Sequence, residues 1–416
     1  MSRYAEFRAG WPTLLAAVFG IGCGASPVPY NMVGHLTGPL QAEFGWGRGQ
    51  IMLAVTVFGA VVMLLAPWFG ALIDRKGVRK VGVAALIGFS LSWMATTLTT
   101  SNIFVYYAIW IVAGVLGGAS IPISWTRAVN AWFVTNRGLA LAIALLGTGF
   151  AGIALNLSAP WMIENFGWRG AVIGSALPAL VLAAPIALLF LRDAPDPGTI
   201  KADTAQATQH QHGATLKEAS SKPTFWIMFA AFAMVALAFG GLFVNFVPML
   251  MDAGFEGAAA GAIASTIGVS LLAGRLIAGA LLDRFWAPYV AAPLFIAPAI
   301  ACMVVAGGVI TPSVATMTAV LIGFAAGVES DLIAYLAARY YGIKNYARIY
   351  GVLYMAFGFA SAISPPLYGW SYDIFGSYRI ALMCGAALFV VSAVILFFME
   401  RYPAERAESD GKGASA

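Results

Sequence analysis

Apolar residues in this chain come in long blocks set apart by short polar joints. A membrane-spanning helix needs about 20 apolar residues. Twelve blocks reach that length: 12–34, 51–73, 81–100, 103–126, 139–162, 170–191, 224–250, 258–282, 288–309, 313–336, 348–371 and 379–399. One joint is long. Residues 192–222 are polar, interrupted by proline (APDPG, KEASSKP) and without an apolar period, which reads as a linker between two six-helix halves. The pattern predicts an all-α integral membrane fold of twelve transmembrane helices in two pseudo-symmetric halves. The expected divisions are 1–191, a cytoplasmic linker over 192–223, a second half over 224–400 and a tail over 401–416. His210 and His212 fall in the linker and read as part of a solvated loop rather than a metal site.

Composition points the same way. Of 416 residues, 61% are hydrophobic and 10% charged, against about 25% charged in a soluble domain; mean hydropathy is +0.84. Cys23, Cys302 and Cys384 lie in apolar blocks without metal-ligand spacing and read as small buried residues. The first apolar run continues as a spanning segment, so no cleavable signal peptide is expected. Of the 23 lysines and arginines, nineteen fall on the side of the two termini. Arg48, Arg169 and Arg379 fall on the other side, and Arg275 lies inside a block. By the positive-inside rule both termini are expected to be cytoplasmic, in a multi-pass membrane protein.

The two halves repeat. A constant offset of 209 residues aligns Gly45 with Gly254, Gly59 with Gly268, Gly70 with Gly279, Asp74 with Asp283, Arg75 with Arg284, Gly149 with Gly358 and Gly167 with Gly376. Parallel six-helix repeats belong to carriers that rock two halves around a central site.

Between segments 2 and 3 lies GALIDRKGVRK, Gly70–Lys80, echoed by GALLDR at Gly279–Arg284. It matches a G-x-x-x-D-R-x-G-x-R-K signature throughout, and on it the chain resembles the major facilitator superfamily over essentially its whole length. The resemblance implies a conformational motif made of Gly70, Asp74, Arg75, Gly77 and Arg79, with Asp283 and Arg284 as the second copy. Gly70 would let helices approach closely, and Asp74 would meet a helix N-terminus, where anions are favoured. Two further stretches are similar to the monocarboxylate-transporter-like branch. One is GPLQAEFGWGRGQI, Gly38–Ile51, with Gly47 where serine is usual; the other is WFVTNRGLALAIALLGTGFAG, Trp132–Gly152, with Ala142 at a usual glycine.

Three charges lie well inside spans: Arg275 in segment 8, and Glu329 and Asp331 in segment 10. Each costs about 2.5–3.5 kcal/mol on insertion scales, so a pair or a function must compensate. Arg275 is eight residues before Asp283, about 12 Å of helix, and Glu329 ten before Arg339, about 15 Å. Both segments run toward the same face, which puts Arg275 and Glu329 level near the midplane. Glu329 and Asp331 are about 200° apart on their helix and cannot point the same way. Arg275 offers a planar cationic fork for a carboxylate. Glu329 or Asp331, in low dielectric, could carry a coupled proton; a structural Arg275–carboxylate pair is the competing reading. The offset partners are Ala66 and Ser120, so these charges belong to one half only.

The branch places a substrate-binding arginine in segment 8, which Arg275 matches. Where its mammalian members carry an aspartate one turn earlier this chain has Leu271, and where they carry a lysine in segment 1 it offers Ser26, Pro27, Pro29, Tyr30 and Asn31. Segment 11 has Tyr354, Ser361 and Ser364 in place of the lysine of oxalate–formate exchangers. Asn156, Asn245, Tyr30, Asn31 and Tyr354 are the remaining candidates for substrate contact, with Trp125 and Tyr335 as cavity walls and His35 as a boundary histidine. Kinks are expected at Pro27–Pro29, Pro122 and Pro365–Pro366. The leading expectation is a proton symporter for a monocarboxylate, aromatic acids among the candidates. The alternatives are proton-coupled efflux, against which the missing G-P-x-x-G-G of segment 5 argues, and organic-anion exchange. No catalytic motif indicates an enzyme, and GTGFAG inside an apolar helix is no nucleotide site. The expected partners are a small organic acid, protons and lipid, with no nucleic acid and no cofactor, and a monomer as working unit.

Overall fold

The computed structural model describes residues 3–133, 137–191, 214–282, 284–308, 310–342 and 345–402. Residues 192–213 of the expected linker, with His210 and His212, residues 403–416 of the tail, Asp283, and the side chains of Asp74 and Asp331 lie outside the described residues. Lipid offers no partner to backbone N–H and C=O groups, so a spanning chain satisfies them within helices. The described elements are accordingly helical. They are α1 (Arg3–Gly22), α2 (Pro27–Phe44), α3 (Arg48–Lys76), α4 (Val78–Met94), α5 (Ile103–Gly117), α6 (Pro122–Trp132), α7 (Arg137–Pro178), α8 (Ala184–Phe190), α9 (Leu216–Ser220), α10 (Pro223–Asp252), α11 (Gly257–Leu282), α12 (Ala287–Ala306), α13 (Pro312–Tyr341), α14 (Tyr346–Phe375) and α15 (Arg379–Leu396).

Eleven described stretches are long and apolar enough to cross a membrane, and one of them, 139–190, has 52 residues. At 1.5 Å per residue that is about 78 Å, far more than a bilayer core of about 30 Å. It doubles back at Gly167, whose φ of 68° leaves the helical region, and Met162 packs onto Gly174 across the bend. The chain therefore makes twelve passes, as the apolar blocks predict.

The first and fourth passes are broken. α1 and α2 are separated at Cys23–Ser26, and α5 and α6 by a tight turn ending at the extended Ile121. The two joints touch: the Ala25 N–H donates to Ser120 Oγ (3.0 Å), which donates to the Gly117 carbonyl (2.7 Å). The second break thus supplies a partner for a backbone group freed by the first. Pro365 and Pro366, by contrast, lie inside an unbroken α14.

The largest apolar cluster is drawn from residues 219–402, and three others from residues 14–191, with Val244 and the adjacent Phe243 crossing over. Passes from the two sets meet along seams lined by glycine. In the α3–α14 seam a Cβ at Gly59 would lie 3.1 Å from Ala362, and one at Gly358 would overlap Met63. In the α7–α11 seam a Cβ at Gly268 would lie 2.7 Å from the Gly149 carbonyl. Gly59 and Gly268 are offset partners, as are Gly149 and Gly358, so the repeated glycines hold the two related seams together. In the α2–α10 seam Gly34 admits the Val244 carbonyl.

The α3–α14 seam does not run the full height. Its two strands of contact are antiparallel, and two turns beyond Met63 and Gly358 come Gly70 and Gly351. A Cβ built on either meets nothing within 4 Å. Gly70 was expected to seat a neighbouring helix; here that face is open, because the helices have parted by this level. The molecule is closed at the end carrying Arg48 and Asp373 (the far end) and opens toward the end carrying Arg75–Lys80 (the basic end).

Candidate functional site

Arg275 sits where the closed seam gives way to the opening. It is partly exposed, and its Nη1 donates across the seam to the Leu145 carbonyl of α7 at 3.3 Å. The helix behind it is packed as tightly as backbone allows: a Cβ at Gly327 of α13 would overlap the Leu271 carbonyl and come within 2.9 Å of the Arg275 nitrogen. Gly323 and Gly274 extend this α11–α13 contact. The guanidinium is therefore carried on a rigid pair of helices and presented toward the first six passes.

Glu329 follows Gly327 by two residues, about 200° around the helix, and is directed away from α11. It is buried (5% exposed), and its Oε2 has no hydrogen-bond partner among the described residues. Among those residues no ion pair joins it to Arg275. The level match read from the sequence does not become contact, because the face of α13 next to Arg275 is taken by glycine.

Tyr30, Asn31 and Asn156 come together above Arg275, toward the far end. With Gly34, Phe243, Val244, Val247, Ala264 and Ile267 they line a cavity of about 10 Å³, room for about one water. A hydrogen-bonded chain runs through it. His35 Nε2 lies 2.9 Å from Asn156 Oδ1. Asn156 Nδ2 donates to Asn31 Oδ1 (3.0 Å) and to the Gly152 carbonyl, and Asn31 Nδ2 donates to the Pro27 carbonyl (2.8 Å). With Asn156 Nδ2 donating, its Oδ1 accepts, which assigns the proton to His35 Nε2. The boundary histidine of the sequence is thus a buried member (3% exposed) of this chain. Separations of 121 and 125 residues gave no spacing signal for it.

Tyr354 belongs to a ladder on α14. Tyr350, Tyr354 and Phe357 stack with ring centroids 5.4 and 5.6 Å apart, each only partly buried. Tyr30 approaches the same seam, its hydroxyl 3.4 Å from where a Gly59 Cβ would be.

Asn245 is not brought to this site. It is wholly buried, and its Nδ2 donates to the Gly241 and Pro365 carbonyls (2.9 and 3.2 Å), tying α10 to α14. Beside it the Ser364 hydroxyl enters the α10 backbone ladder, accepting from the Gly241 N–H (2.7 Å) and donating to the Leu237 carbonyl. Trp125 is not a cavity wall either. It is fully buried over Gly20 and Gly82, its Nε1 donating to the Ser120 carbonyl. Tyr335 donates from its hydroxyl to the Leu282 carbonyl at 2.9 Å, holding α13 to the end of α11.

At the basic end Gly77 (φ 83°) makes the one-residue turn between α3 and α4, a left-handed conformation that suits glycine. Arg79 donates to the Leu188 carbonyl in the last turn of α8, where a cation complements the helix dipole. Arg75 and Arg284 are exposed. A far-end cluster of Arg48, Asp252, Asp373 and Tyr378, whose residues no spacing in the chain brings together, joins the two sets of passes.

The family model described as Major Facilitator Superfamily matches residues 14–342. The chain is 25% identical over 399 residues to monocarboxylate transporter 12 of Mus musculus, covering 86% of this chain and 79% of that protein. It is 24% identical over 407 residues to monocarboxylate transporter 13 of Bos taurus (94% and 90%). It is 24% identical over 367 residues to the uncharacterized MFS-type transporter YhjX of Escherichia coli K12 (85% and 86%). Among solved structures, a bacterial homolog of the human lysosomal transporter Spinster, described as inward-facing and unoccupied, aligns with a TM-score of 0.60 at 16% identity over 96% of both chains.

Proposed function

The chain belongs to the major facilitator superfamily, and from that premise we propose that it carries an organic monocarboxylate across the membrane together with a proton, by alternating access. Its likeness to monocarboxylate transporters supports transport of organic anions. The reading rests on one observation: the cationic fork of Arg275 stands partly exposed at the level where the seam between the two six-pass halves opens. A substrate entering from the basic end meets this cation where the passage closes.

In this reading both termini are cytoplasmic, in a bacterial inner membrane, and the far end faces outward. Arg275 takes the carboxylate through two parallel hydrogen bonds. The Tyr350–Tyr354–Phe357 ladder and Tyr30 receive the apolar or aromatic body, and Asn31 and Asn156 lie on the opposite wall. Asn245 sets the α10–α14 packing behind the wall. Glu329, or Asp331 on the same helix, takes up the coupled proton. A buried unpaired charge is expensive, so a change of protonation at Glu329 is tied to a change of packing around α13. Gly70, Asp74, Arg75, Gly77 and Arg79, with Asp283 and Arg284, form the basic-end closure of the other conformer. The carrier works as a monomer.

The test is uptake into proteoliposomes of a panel of aliphatic and aromatic monocarboxylates, with and without an inward proton gradient. Accumulation that rises as external pH falls and collapses with an uncoupler is expected. Accumulation indifferent to the uncoupler removes symport, and uptake only against preloaded internal anion makes the protein an exchanger.

A further inference from the structure

The stretch Gly38–Ile51 has no part in the anion site, yet it ends in the most heavily contacted cation of the far end. Arg48 opens α3, in the first half, and its partners lie mostly in the second. Its guanidinium makes a two-armed pair with Asp252, the last residue of α10, with Nη2 2.7 Å from Oδ1. Nη1 also donates to the Tyr378 hydroxyl at 2.8 Å. The guanidinium carbon lies 3.8 Å from the ring centre of Tyr372, a cation–π contact. Only Nε stays within the first half, donating to Gln41 Oε1 at 3.1 Å. The Arg48 and Gly49 N–H groups donate to the two oxygens of Asp373 (2.9 and 2.8 Å). A carboxylate from α14 thus caps the N-terminus of α3 in trans, the charge that end of a helix favours. The backbone there must be bare. A Cβ at Gly47 would come within 2.8 Å of the Asp373 carboxylate, and one at Gly49 would overlap the Trp370 ring. Gly47, the departure from the usual serine, falls on this contact.

The repeat shows what is special about the pairing. The 209-residue offset maps Asp252 onto Glu43 and Tyr378 onto Arg169. In the first half Glu43 and Arg169 pair with each other through two hydrogen bonds (2.7 and 2.9 Å). In the second half the arginine position is Tyr378, so Asp252 lacks that partner and takes Arg48 instead, whose own offset partner is Gly257. One acidic position therefore makes a strut inside one half and a bridge between halves in the other.

We propose that Arg48, Asp252 and Asp373 are the positioning residues of the transport cycle at the far end: their pairing sets the stability of the far-end-closed conformer, and breaking it governs how often the carrier opens there. The proposal rests on the alternating-access reading, but closure can be measured without substrate. A cysteine placed at Val247 (5% exposed, in the closed seam), with Cys23, Cys302 and Cys384 replaced by alanine, reports opening through labelling by a membrane-impermeant maleimide. Arg48→Ala and Asp252→Ala should each label about tenfold faster than the parent, and turnover should change with the labelling. The decisive variant is Tyr378→Arg, which removes no charge but rebuilds the first-half arrangement so that Asp252 has a cation in its own half. It should label as fast as Arg48→Ala, whereas Tyr378→Phe stays near the parent. Parent-like labelling of Arg48→Ala and Asp252→Ala overturns the proposal, as does a Tyr378→Arg variant indistinguishable from Tyr378→Phe. A change of KM without a change of labelling overturns it as well. If no carboxylate is transported by the parent while these labelling differences persist, the carrier reading fails and the closure stands.

Discussion

Thr56→Val isolates one hydrogen bond of the α3–α14 seam. Pro366 has no N–H, so the Ala362 carbonyl, four residues earlier, has no donor in its own helix. The Thr56 hydroxyl of the other half donates to it at 2.5 Å, and Ala362 is 3% exposed. Valine keeps the shape of threonine and removes the donor. A buried acceptor left without a partner costs about 1–3 kcal/mol, and hydrogen bonds measured between membrane helices average about 0.6 with a ceiling near 1.7. About 1 kcal/mol is the reasonable figure here. When the far end opens, water can reach the same carbonyl, so the whole cost falls on the closed conformer. It corresponds to a roughly fivefold shift toward the open one. Maleimide labelling of Val247→Cys should therefore quicken about fivefold in Thr56→Val and not in Thr56→Ser. Pro366→Ala supplies the missing N–H from within α14. In that background Thr56→Val should have little further effect, so the two substitutions couple by about the full 1 kcal/mol. Labelling at the parent rate, or an equal effect of Thr56→Val with and without Pro366, would refute the reasoning.

Other substitutions probe the rest of the path. Arg275→Lys keeps the charge and loses the planar fork; a charge-assisted pair of about 1.5–3 kcal/mol implies uptake down ten- to a hundredfold at normal membrane expression, and parent-like uptake would take Arg275 out of the path. Glu329→Gln should leave binding and exchange intact while flattening the pH dependence of uptake; an unchanged pH profile moves the proton to another group. Gly49→Ala puts a methyl into the Trp370 ring and should hold the far end open, with fast Val247→Cys labelling and lost transport. Trp370→Ala in the same chain should restore closure, and failure of that rescue would mean the glycine serves something other than the fit.

What was legible in the sequence is what the two halves do twice. Gly59 with Gly268 and Gly149 with Gly358 recur at one offset because related seams demand the same absence of a side chain at the same height. Apolar block length gave twelve passes because each segment faces the same bilayer. What happens once was not legible. Arg48 reads in the sequence as one of three cations on its side; its partners lie 204 and 325–330 residues away and depend on which helix ends converge. Asn245 and Trp125 read as cavity residues because a polar or amphipathic side chain in a span suggests a site. Their donors instead satisfy carbonyls at Pro365 and Ser120, where a proline or a tight turn interrupts the regular ladder. Arg275 and Glu329 show the limit of depth arguments: equal height along two packed helices leaves azimuth free, and Gly327 holds the azimuth that would have joined them.

The prolines carry this one step further. Of the three proline sites, two open a helix after a break, where no intrahelical donor is lost, and the third lies in mid-helix. Pro27 and Pro122 follow CGAS and GASI, mostly small residues that let the chain leave the helix, and the two breaks meet in the Ala25–Ser120 joint. Pro365 and Pro366 free the carbonyls of Ser361 and Ala362 in mid-helix. Thr56 donates to the second, the bare Gly240 packs against the first, and Asn245 and Ser364 bind the flanking backbone. Whether a proline breaks a membrane helix thus depends on where replacement donors and close packing can come from. For Ala362 the donor belongs to the other half of the molecule. A proline that looks from the sequence like a kink is in place a docking point for the opposite half, and in the closed seam the carbonyl it frees is served by Thr56 of α3.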